Sequence, residues 1–302
     1  MSDASDRSVV PTETVGPKIA RANVALRLKS LRDGLGLSAA AVAKTMDWSV
    51  SKLTRIEKGE VTVQPLEVRA LLGHYHISDE HVVAELSRLA RLSRSRQWYS
   101  RHRLAGAFAD FVAFENEAAE IHVWQLLFVP GLLQTRDYAR AITARTLRTD
   151  PNDEQVKARV DLRMDRQEAL FERQRGDSPP RVTVVFDESA LRRPLGGHEV
   201  MARQLDHLLA LAEDPQRFVF GVAPLDLEHH SGLGGSFELL KFAGTHDDVM
   251  FVEAAAGYDF LVVNREETDR HNALFKDLLD YGRTGDRALQ TIRSIRDEMR
   301  AG

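Results

Sequence analysis

Five side chains between Val50 and Arg55 have the types and spacing needed to read the edges of DNA bases. On a short helix they would form one outer face, which is small and polar and carries two cations; the five are Val50, Ser51, Lys52, Thr54 and Arg55. Arginine can donate two hydrogen bonds to guanine O6 and N7, and valine can contact a thymine methyl group. A helix with such a face suits the major groove of DNA. We therefore expect these five residues to contact bases.

Two short helices joined by a tight turn, over residues 35–59, would position this face. Ser38 is placed to cap the first helix, and Ser49 is placed to cap the second. Asp47 falls in the turn, where aspartate tolerates the left-handed backbone conformation. Gly59 suits the end of the second helix. The spacing predicts a helix over 39–46 and a second one that runs to residue 58.

The apolar residues of this pair of helices predict how they pack. Val42, Ala43 and Met46 on the first helix would face Leu53 and Ile56 on the second. The small side chain of Ala43 lets the second helix cross closely over the first. The two helices are thus expected to form one unit with the polar face directed outward.

This stretch resembles the lambda-repressor-like helix-turn-helix family of Xre or Cro type. The matching residues are GLS at 36–38, VA at 42–43, WS at 48–49 and SKLTRIEKG at 51–59. The resemblance implies that Ser49 to Lys58 form the recognition helix of a DNA-binding domain, which places this helix in the major groove of double-stranded DNA.

The resemblance also assigns roles to four neighbouring residues. Arg32 and Glu57 match a pair that joins the first helix of the domain to the recognition helix, and Ser38 and Lys58 are expected to contact phosphates. Two positions depart from the family pattern. Ala39 replaces the usual glutamine, and Ala41 replaces the glutamate of the capping box, so that cap would be only half made.

The charge distribution favours the same end of the chain for DNA binding. The 302 residues carry a net charge of −4, but residues 17–61 contain nine Lys and Arg against four Asp and Glu. A local positive field attracts the phosphate backbone. The acidic remainder of the chain is not expected to touch DNA.

The order of predicted elements indicates an all-α five-helix DNA-binding domain followed by a larger mixed α+β domain. Residues 1–16 lack apolar periodicity and are expected to form a disordered arm. Residues 17–95 are expected to form the DNA-binding domain, and residues 96–302 a regulatory or partner-binding domain.

In the first helix, over 17–34, a buried stripe is predicted from Val24, Leu28, Leu31 and Leu35. The fourth helix, over 65–75, would bury Leu66, Leu71 and Leu72, and Ser78 would cap the fifth.

The boundary between the two domains falls in the basic segment 90–103, which contains Trp98 and Tyr99. Its arginines suit either a second contact with phosphates or a solvated linker whose aromatic residues dock onto the next domain. We prefer the linker, because basic segments beside binding domains usually assist only electrostatically.

The larger domain is predicted to be one sheet with packed helices. A first helix is expected over 108–127, with Phe111, Phe114, Ala118, Ile121 and Trp124 as its apolar positions. Further helices are expected from about 135, and over 152–175, 199–212, 266–281 and 286–299. Short β-branched or aromatic runs predict strands over 181–186, 217–222, 236–242, 248–253 and 260–263.

A second resemblance covers this domain. The segments VPGLLQT (129–135), DYARA (137–141), DRQEAL (165–170), DESALRRPLGG (187–197) and QLDHLL (204–209) look like the large carboxy-terminal domain of actinobacterial Xre-type regulators. The resemblance implies transcriptional control, often with a small partner protein encoded nearby. Such regulators are described as antitoxin-like by analogy.

Nothing in the sequence indicates an enzyme, a metal site or a cofactor. The chain has no cysteine, which excludes a thiolate nucleophile. The histidines and carboxylates at 229–230, 246–248 and 253 lack a metal-binding spacing, so polar loops are favoured. The glycines at 232–235 favour a hairpin loop over a phosphate cradle, and Glu115, Glu117 and Glu120 favour the solvated edge of a helix over an acid–base pair.

We therefore expect a sequence-specific transcription regulator that acts as a homodimer. Two alternatives stay open: an antitoxin-like protein that mainly binds a small partner protein, and a ligand-gated sensor with a pocket between the sheet and the helices of 108–175.

The amino terminus is acidic and serine-rich, unlike a signal peptide, and the apolar run 121–135 is too short to span a membrane. A cytoplasmic protein is expected.

Overall fold

The computed structural model describes residues 15–228, 230–244, 246–253 and 259–302. The predicted arm lies outside these ranges except for its last two residues. The chain divides into two compact units. The first runs through Ser100, and the second holds Arg101–Ala243 and Asp247–Gly302.

Within the described residues, the amino-terminal unit contains five α-helices, as predicted. They are α1 (Pro17–Gly34), α2 (Ala39–Thr45), α3 (Val50–Glu57), α4 (Pro65–His74) and α5 (Glu80–Leu92). All five contribute to one apolar core, whose fully buried side chains include Leu28, Val42, Leu53, Leu71, Leu72 and Ala90. Burial of one stripe from each short helix supplies the stability that isolated helices of this length lack.

Three details of this unit differ from prediction. Leu35 follows the end of α1 and is 48% exposed, while Leu66 lies in the first turn of α4 and is 76% exposed. The inner face of α4 is instead made by Val68 together with the two leucines that were predicted. Asp79, one residue after the predicted Ser78, caps α5 by accepting hydrogen bonds from two backbone N–H groups.

The carboxy-terminal unit is built on one seven-stranded mixed sheet. Its strands are β1 (Glu120–Gln125), β2 (Arg181–Asp187), β3 (Phe218–Ala223), β4 (Phe237–Lys241), β5 (Val249–Val252), β6 (Phe260–Val262) and β7 (Arg283–Thr284). The strand order is β6-β5-β4-β1-β2-β3-β7. β1, β2 and β3 are parallel, and the remaining pairs are antiparallel.

Seven α-helices in the described part of the chain belong to the same unit, which confirms the predicted α+β class. They are α6 (Gly106–Glu115), α7 (Arg136–Leu147), α8 (Glu154–Gln174), α9 (Glu188–Arg192), α10 (His198–Leu211), α11 (Arg265–Tyr281) and α12 (Asp286–Ala301). Among the helices of the described ranges, none is both long and apolar enough to cross a membrane.

The predicted helix over 108–127 is wrong in its second half. α6 ends at Glu115, and residues 120–125 form β1, the central strand between β2 and β4. A central strand is buried on both faces, so its apolar residues need not alternate. Ile121 and Trp124 therefore matched a helical spacing while lying in a strand.

Glu115 is also not at a solvated edge. It is only 5% exposed. Both of its carboxylate oxygens accept hydrogen bonds from Arg166 of α8, with the Nε atom at 2.7 Å. A buried carboxylate of this kind needs a cationic partner, and that partner lies 51 residues away in the chain. Glu120, by contrast, is exposed at the start of β1.

The predicted hairpin at the glycine-rich segment is likewise wrong. Ser231–Gly234 form one 3-10 turn. The strand that follows, β4, pairs with β1 and β5 and not with the preceding β3. The turn instead covers Trp124, whose Nε1 donates to the carbonyl oxygen of Gly232 at 2.9 Å.

The contact between this turn and Trp124 leaves no room for a side chain at residue 232. A Cβ atom there would lie 2.4 Å from the indole ring, whereas one at Gly234 would have no heavy atom within 4 Å. We predict that Gly232→Ala lowers the free energy of unfolding of the carboxy-terminal unit by about 1–3 kcal/mol, because the ring or the turn must move. Gly234→Ala should leave it within about 0.5 kcal/mol of the parent. Urea denaturation of both variants would measure the difference, and equal effects would contradict this account.

Candidate nucleic-acid interface

The turn between α2 and α3 has the predicted caps. Ser38 Oγ accepts a hydrogen bond from the N–H of Ala41, and Ser49 Oγ accepts one from the N–H of Lys52, each at 3.1 Å. Asp47 has a φ of 54°, and Gly59, just beyond the end of α3, has a φ of 68°. These local interactions fix where each helix begins and ends.

The packing of α2 against α3 determines which side of α3 faces outward. Leu53 and Ile56 are buried against Val42 and Ala43, as predicted. At 100° per residue, Ser51, Thr54 and Arg55 lie on the opposite side of α3, and Val50 and Lys52 flank them. Among these five, Val50, Ser51 and Arg55 are exposed, while Lys52 and Thr54 are half-buried.

The structure places Arg32 of α1 against Glu57 of α3. Arg32 donates from Nε to Oε1 at 2.7 Å and from Nη2 to Oε2 at 2.9 Å. Its Nη1 donates to the carbonyl oxygen of Leu37 at 2.8 Å. The two side chains are 11% and 6% exposed. The hydrogen bond with Glu57 raises the pKa of Arg32, and the pair ties α3 to α1 from within the core.

Lys52 has a structural contact that the sequence did not indicate. Its Nζ lies 2.6 Å from Oε1 of Glu67 in α4 and 3.9 Å from the centre of the Trp48 ring. Burial raises the pKa of Glu67, but hydrogen bonds from Lys52 and from the N–H of Gln64 outweigh that effect and lower it. Lys52 therefore fastens α3 to α4, and only the donors of its ammonium group that do not contact Glu67 remain for a base edge.

Of the two long donor side chains on the outer face of α3, Arg55 has the weaker contact within the protein. Its Nε lies 3.5 Å from Glu60 Oε2, and both side chains are at least half exposed. An exposed ion pair of this length contributes little to stability. Thr54, in contrast, donates its hydroxyl to the carbonyl oxygen of Val50 at 2.9 Å. Arg55 can thus exchange its present contact for a base at small cost.

Comparison with known protein families agrees with this division of the chain. A model described as "Helix-turn-helix domain" matches residues 24–86. A second model, described as "Domain of unknown function (DUF5753)", matches residues 108–294 and so covers more than half of the chain. The chain belongs to the DUF5753 family. No curated protein and no solved structure matches it.

The helix-turn-helix match supports a DNA-binding regulator, whereas the DUF5753 description assigns no activity. Within the described part of the DUF5753 domain, no group of three or more histidines and carboxylates is arranged to hold a metal. His230 instead serves the loop: its Nδ1 accepts from the N–H of Gly232 at 3.2 Å, and its Nε2 lies 3.5 Å from Asp187 Oδ2. His229 lies outside the described residues.

The buried pair between α1 and α3 leads to a prediction about stability. Glu57→Ala removes two hydrogen bonds of the buried Arg32 and leaves it with the exposed Asp33 as its carboxylate partner. We therefore predict that this variant lowers the free energy of unfolding of the amino-terminal unit by about 3 kcal/mol. Glu60→Ala, which removes an exposed carboxylate near the same helix, should change it by less than about 0.5 kcal/mol. Hydrogen exchange of the amides in α1 and α3 would report both values in the full chain. Similar protection in the two variants would contradict the role given to the pair.

Proposed function

We propose that this protein is a sequence-specific transcription regulator of the Xre type that inserts α3 into the major groove of DNA. The observation that carries the proposal is the exposed polar side of α3, which lies opposite the buried Leu53 and Ile56 and is anchored through Glu57. The caps and the Arg32–Glu57 pair support the Xre assignment. The protein is proposed to act by binding and not by catalysis.

Each residue of the interface has a proposed role. Arg55 donates to guanine O6 and N7, Val50 contacts a thymine methyl group, and Ser51 reaches a base edge in the first turn of the helix. Lys52 and Thr54 are proposed as further base contacts: the Lys52 ammonium has donors besides the one that contacts Glu67, and the Thr54 hydroxyl oxygen can accept a hydrogen bond while it donates to Val50. Two exposed residues at the ends of the motif, Ser38 and Lys58, are proposed to contact phosphates.

A homodimer is proposed because one helix-turn-helix contacts too few base pairs. Two copies on half-sites about 34 Å apart would double the contacts. The surface that joins the copies is not part of the proposal. The small partner protein implied by the resemblance stays a prediction, since the family description assigns no partner.

The base contact of Arg55 can be tested on DNA selected from a random duplex library, together with the promoter of the protein's own gene. We predict that Arg55→Ala weakens binding to the selected sequence by about 1–3 kcal/mol, which is roughly 5- to 150-fold, because one bidentate contact is lost. Fluorescence anisotropy should show a much smaller change on scrambled DNA.

Arg27→Ala is the matched control for Arg55→Ala, because Arg27 is equally charged and exposed on α1. It should leave the preference for the selected sequence unchanged. Equal losses on selected and scrambled DNA for Arg55→Ala would mean that Arg55 acts on phosphates alone, which would overturn its proposed role.

The phosphate contact of Lys58 gives a different signature. We predict that Lys58→Ala weakens binding to all DNA sequences alike and reduces the slope of log K against log salt concentration by about 1, because one fewer counterion is released. Anisotropy over a salt series would measure the slope. An unchanged slope would exclude Lys58 from the backbone contacts.

A further inference from the structure

The basic segment that follows α5 places one arginine beside the helix-turn-helix. Arg94 comes shortly after the end of α5, and its side chain is exposed. Its Nη1 donates to Thr62 Oγ1 at 3.5 Å. With its amide turned so that the oxygen faces Arg94, Gln64 accepts hydrogen bonds from Nη1 and Nη2, each at 3.1 Å. The guanidinium group therefore lies against the loop that connects α3 to α4.

A series of contacts links this loop to α3. The backbone N–H of Gln64 donates to Glu67 Oε2 at 2.8 Å, and Lys52 Nζ donates to Glu67 Oε1 at 2.6 Å. Burial raises the pKa of Glu67, but the hydrogen bond from Lys52 lowers it, and the charge of Arg94 adds to the lowering. Arg94 is thus on the side of α3 that Lys52 and α4 occupy.

If α3 binds DNA as proposed, this side of the helix meets the edge of the major groove. An α-helix with its side chains is about 10–12 Å across, and the groove is about 12 Å wide. The middle of the outward side, with Ser51 and Arg55, then faces the bases, and the flanks approach the sugar–phosphate strands that border the groove. Arg94 lies beyond Lys52 on one flank, so it would meet phosphates and not bases.

The present contacts of Arg94 leave its charge uncompensated. Thr62 and Gln64 are neutral acceptors. In the part of the chain that the structure describes, no carboxylate oxygen lies within 4 Å of the Arg94 guanidinium group. Arginine is suited to anions that accept two parallel hydrogen bonds, and phosphate is one of them. Neutral contacts orient the group without neutralising it, which reduces the entropy lost when an anion binds.

Two other arginines of the same segment have different contacts. Arg96 Nε donates to Ser100 Oγ at 3.2 Å, within the segment itself. Arg101 Nη2 lies 2.6 Å from Asp165 Oδ1 of α8, and both residues belong to the carboxy-terminal unit. Arg101 therefore already has a carboxylate partner. Of these three arginines, Arg94 is the one that contacts the loop next to α3.

We propose that Arg94 binds a DNA phosphate at the edge of the major groove, on the flank of α3 where α4 lies. The contact would come from outside residues 24–86, which match the helix-turn-helix model. This proposal rests on the proposed function, since it requires α3 to lie in the groove. The basic segment then combines the two interpretations that its sequence left open: Arg94 contacts phosphate, and Arg101 fixes the segment to α8.

The first test is the salt dependence of binding to the DNA selected from the random library. One phosphate contact contributes about 0.9 to the slope of log K against log salt concentration, and it carries no sequence information. We predict that Arg94→Gln makes the slope shallower by about 0.9 and weakens binding in 0.1 M salt by about five- to tenfold. Fluorescence anisotropy should show the same factor on selected and on scrambled DNA.

Three further variants separate the charge of Arg94 from its contacts with the loop. Arg94→Lys keeps the charge and should keep the slope of the parent protein. Gln64→Ala removes a neutral partner of Arg94 and should also keep it. Arg96→Gln is the matched control, because it removes an equally charged and exposed arginine of the same segment, and its slope should not change. If Arg94→Gln has the slope of the parent protein, or if Arg94→Lys lowers it equally, the proposal is wrong.

The second test locates the contact on the DNA. Single phosphates of the selected duplex are replaced, one at a time, by neutral methylphosphonates. We expect one position at which the replacement weakens binding of the parent protein but has no further effect on Arg94→Gln, because the two changes remove the same interaction. If every replacement that weakens the parent protein weakens Arg94→Gln by the same factor, no phosphate pairs with Arg94.

Arg55→Ala distinguishes a failure of this proposal from a failure of the proposed function. If Arg55→Ala loses affinity for the selected sequence while Arg94→Gln keeps the slope of the parent protein, the role of Arg94 alone is wrong. If the parent protein selects no sequence from the random library, the placement of α3 in the groove is wrong, and the role of Arg94 is wrong with it.

Discussion

The orientation of α3 depends on one buried charge pair. Arg32 and Glu57 lie on different helices, 25 residues apart. Arg32 donates two hydrogen bonds to Glu57, at 2.7 and 2.9 Å, and the two side chains are almost fully buried. Arg32 also lies 2.7 Å from the exposed carboxylate of Asp33, but Glu57 is its buried partner, and the cost of burying Glu57 is offset by Arg32. The pair therefore exists only when α1 and α3 have their native arrangement, and in that arrangement the polar side of α3 faces outward.

Local rules were sufficient to predict the helix-turn-helix from the sequence. Ser38, Ser49, Asp47 and Gly59 each act within four residues of their own position, and all four have the conformation or the hydrogen bond expected of them. The contact between Lys52 and Glu67 spans 15 residues and connects two helices. No local rule describes such a contact, and so it was found only in the structure.

The fold of the carboxy-terminal unit was harder to predict from the sequence. The strands β2 to β6 were visible because β-branched and aromatic residues cluster in them, but β1 was taken for the end of a helix. Trp124 decided that interpretation, since it lies three residues after Ile121, a spacing that a helix and a strand buried on both faces share. Glu115 was placed in solvent for a different reason: the arginine that neutralises it belongs to a helix much later in the chain.

Each unit contains a buried charge pair that joins two helices. In the amino-terminal unit, Arg32 donates two hydrogen bonds to Glu57 and joins α1 to α3. In the DUF5753 domain, Arg166 donates two hydrogen bonds to Glu115 and joins α8 to α6, and the two side chains are 7% and 6% exposed. Charge-assisted pairs of this bidentate kind add geometric specificity as well as energy.

The contact between Lys52 and Glu67 limits how well one copy of α3 could discriminate between DNA sequences. With Lys52 engaged at 2.6 Å, Arg55 is the long side chain available for a bidentate base contact, and such a contact contributes about 1–3 kcal/mol of discrimination. Specific sites are usually distinguished from other DNA by about 4–10 kcal/mol. Two half-sites would bring the arginine contribution to about 2–6 kcal/mol by the same estimate, and Val50 and Ser51 would add to it. If α3 binds DNA as proposed, a second copy beside the first would therefore be needed to reach the usual discrimination.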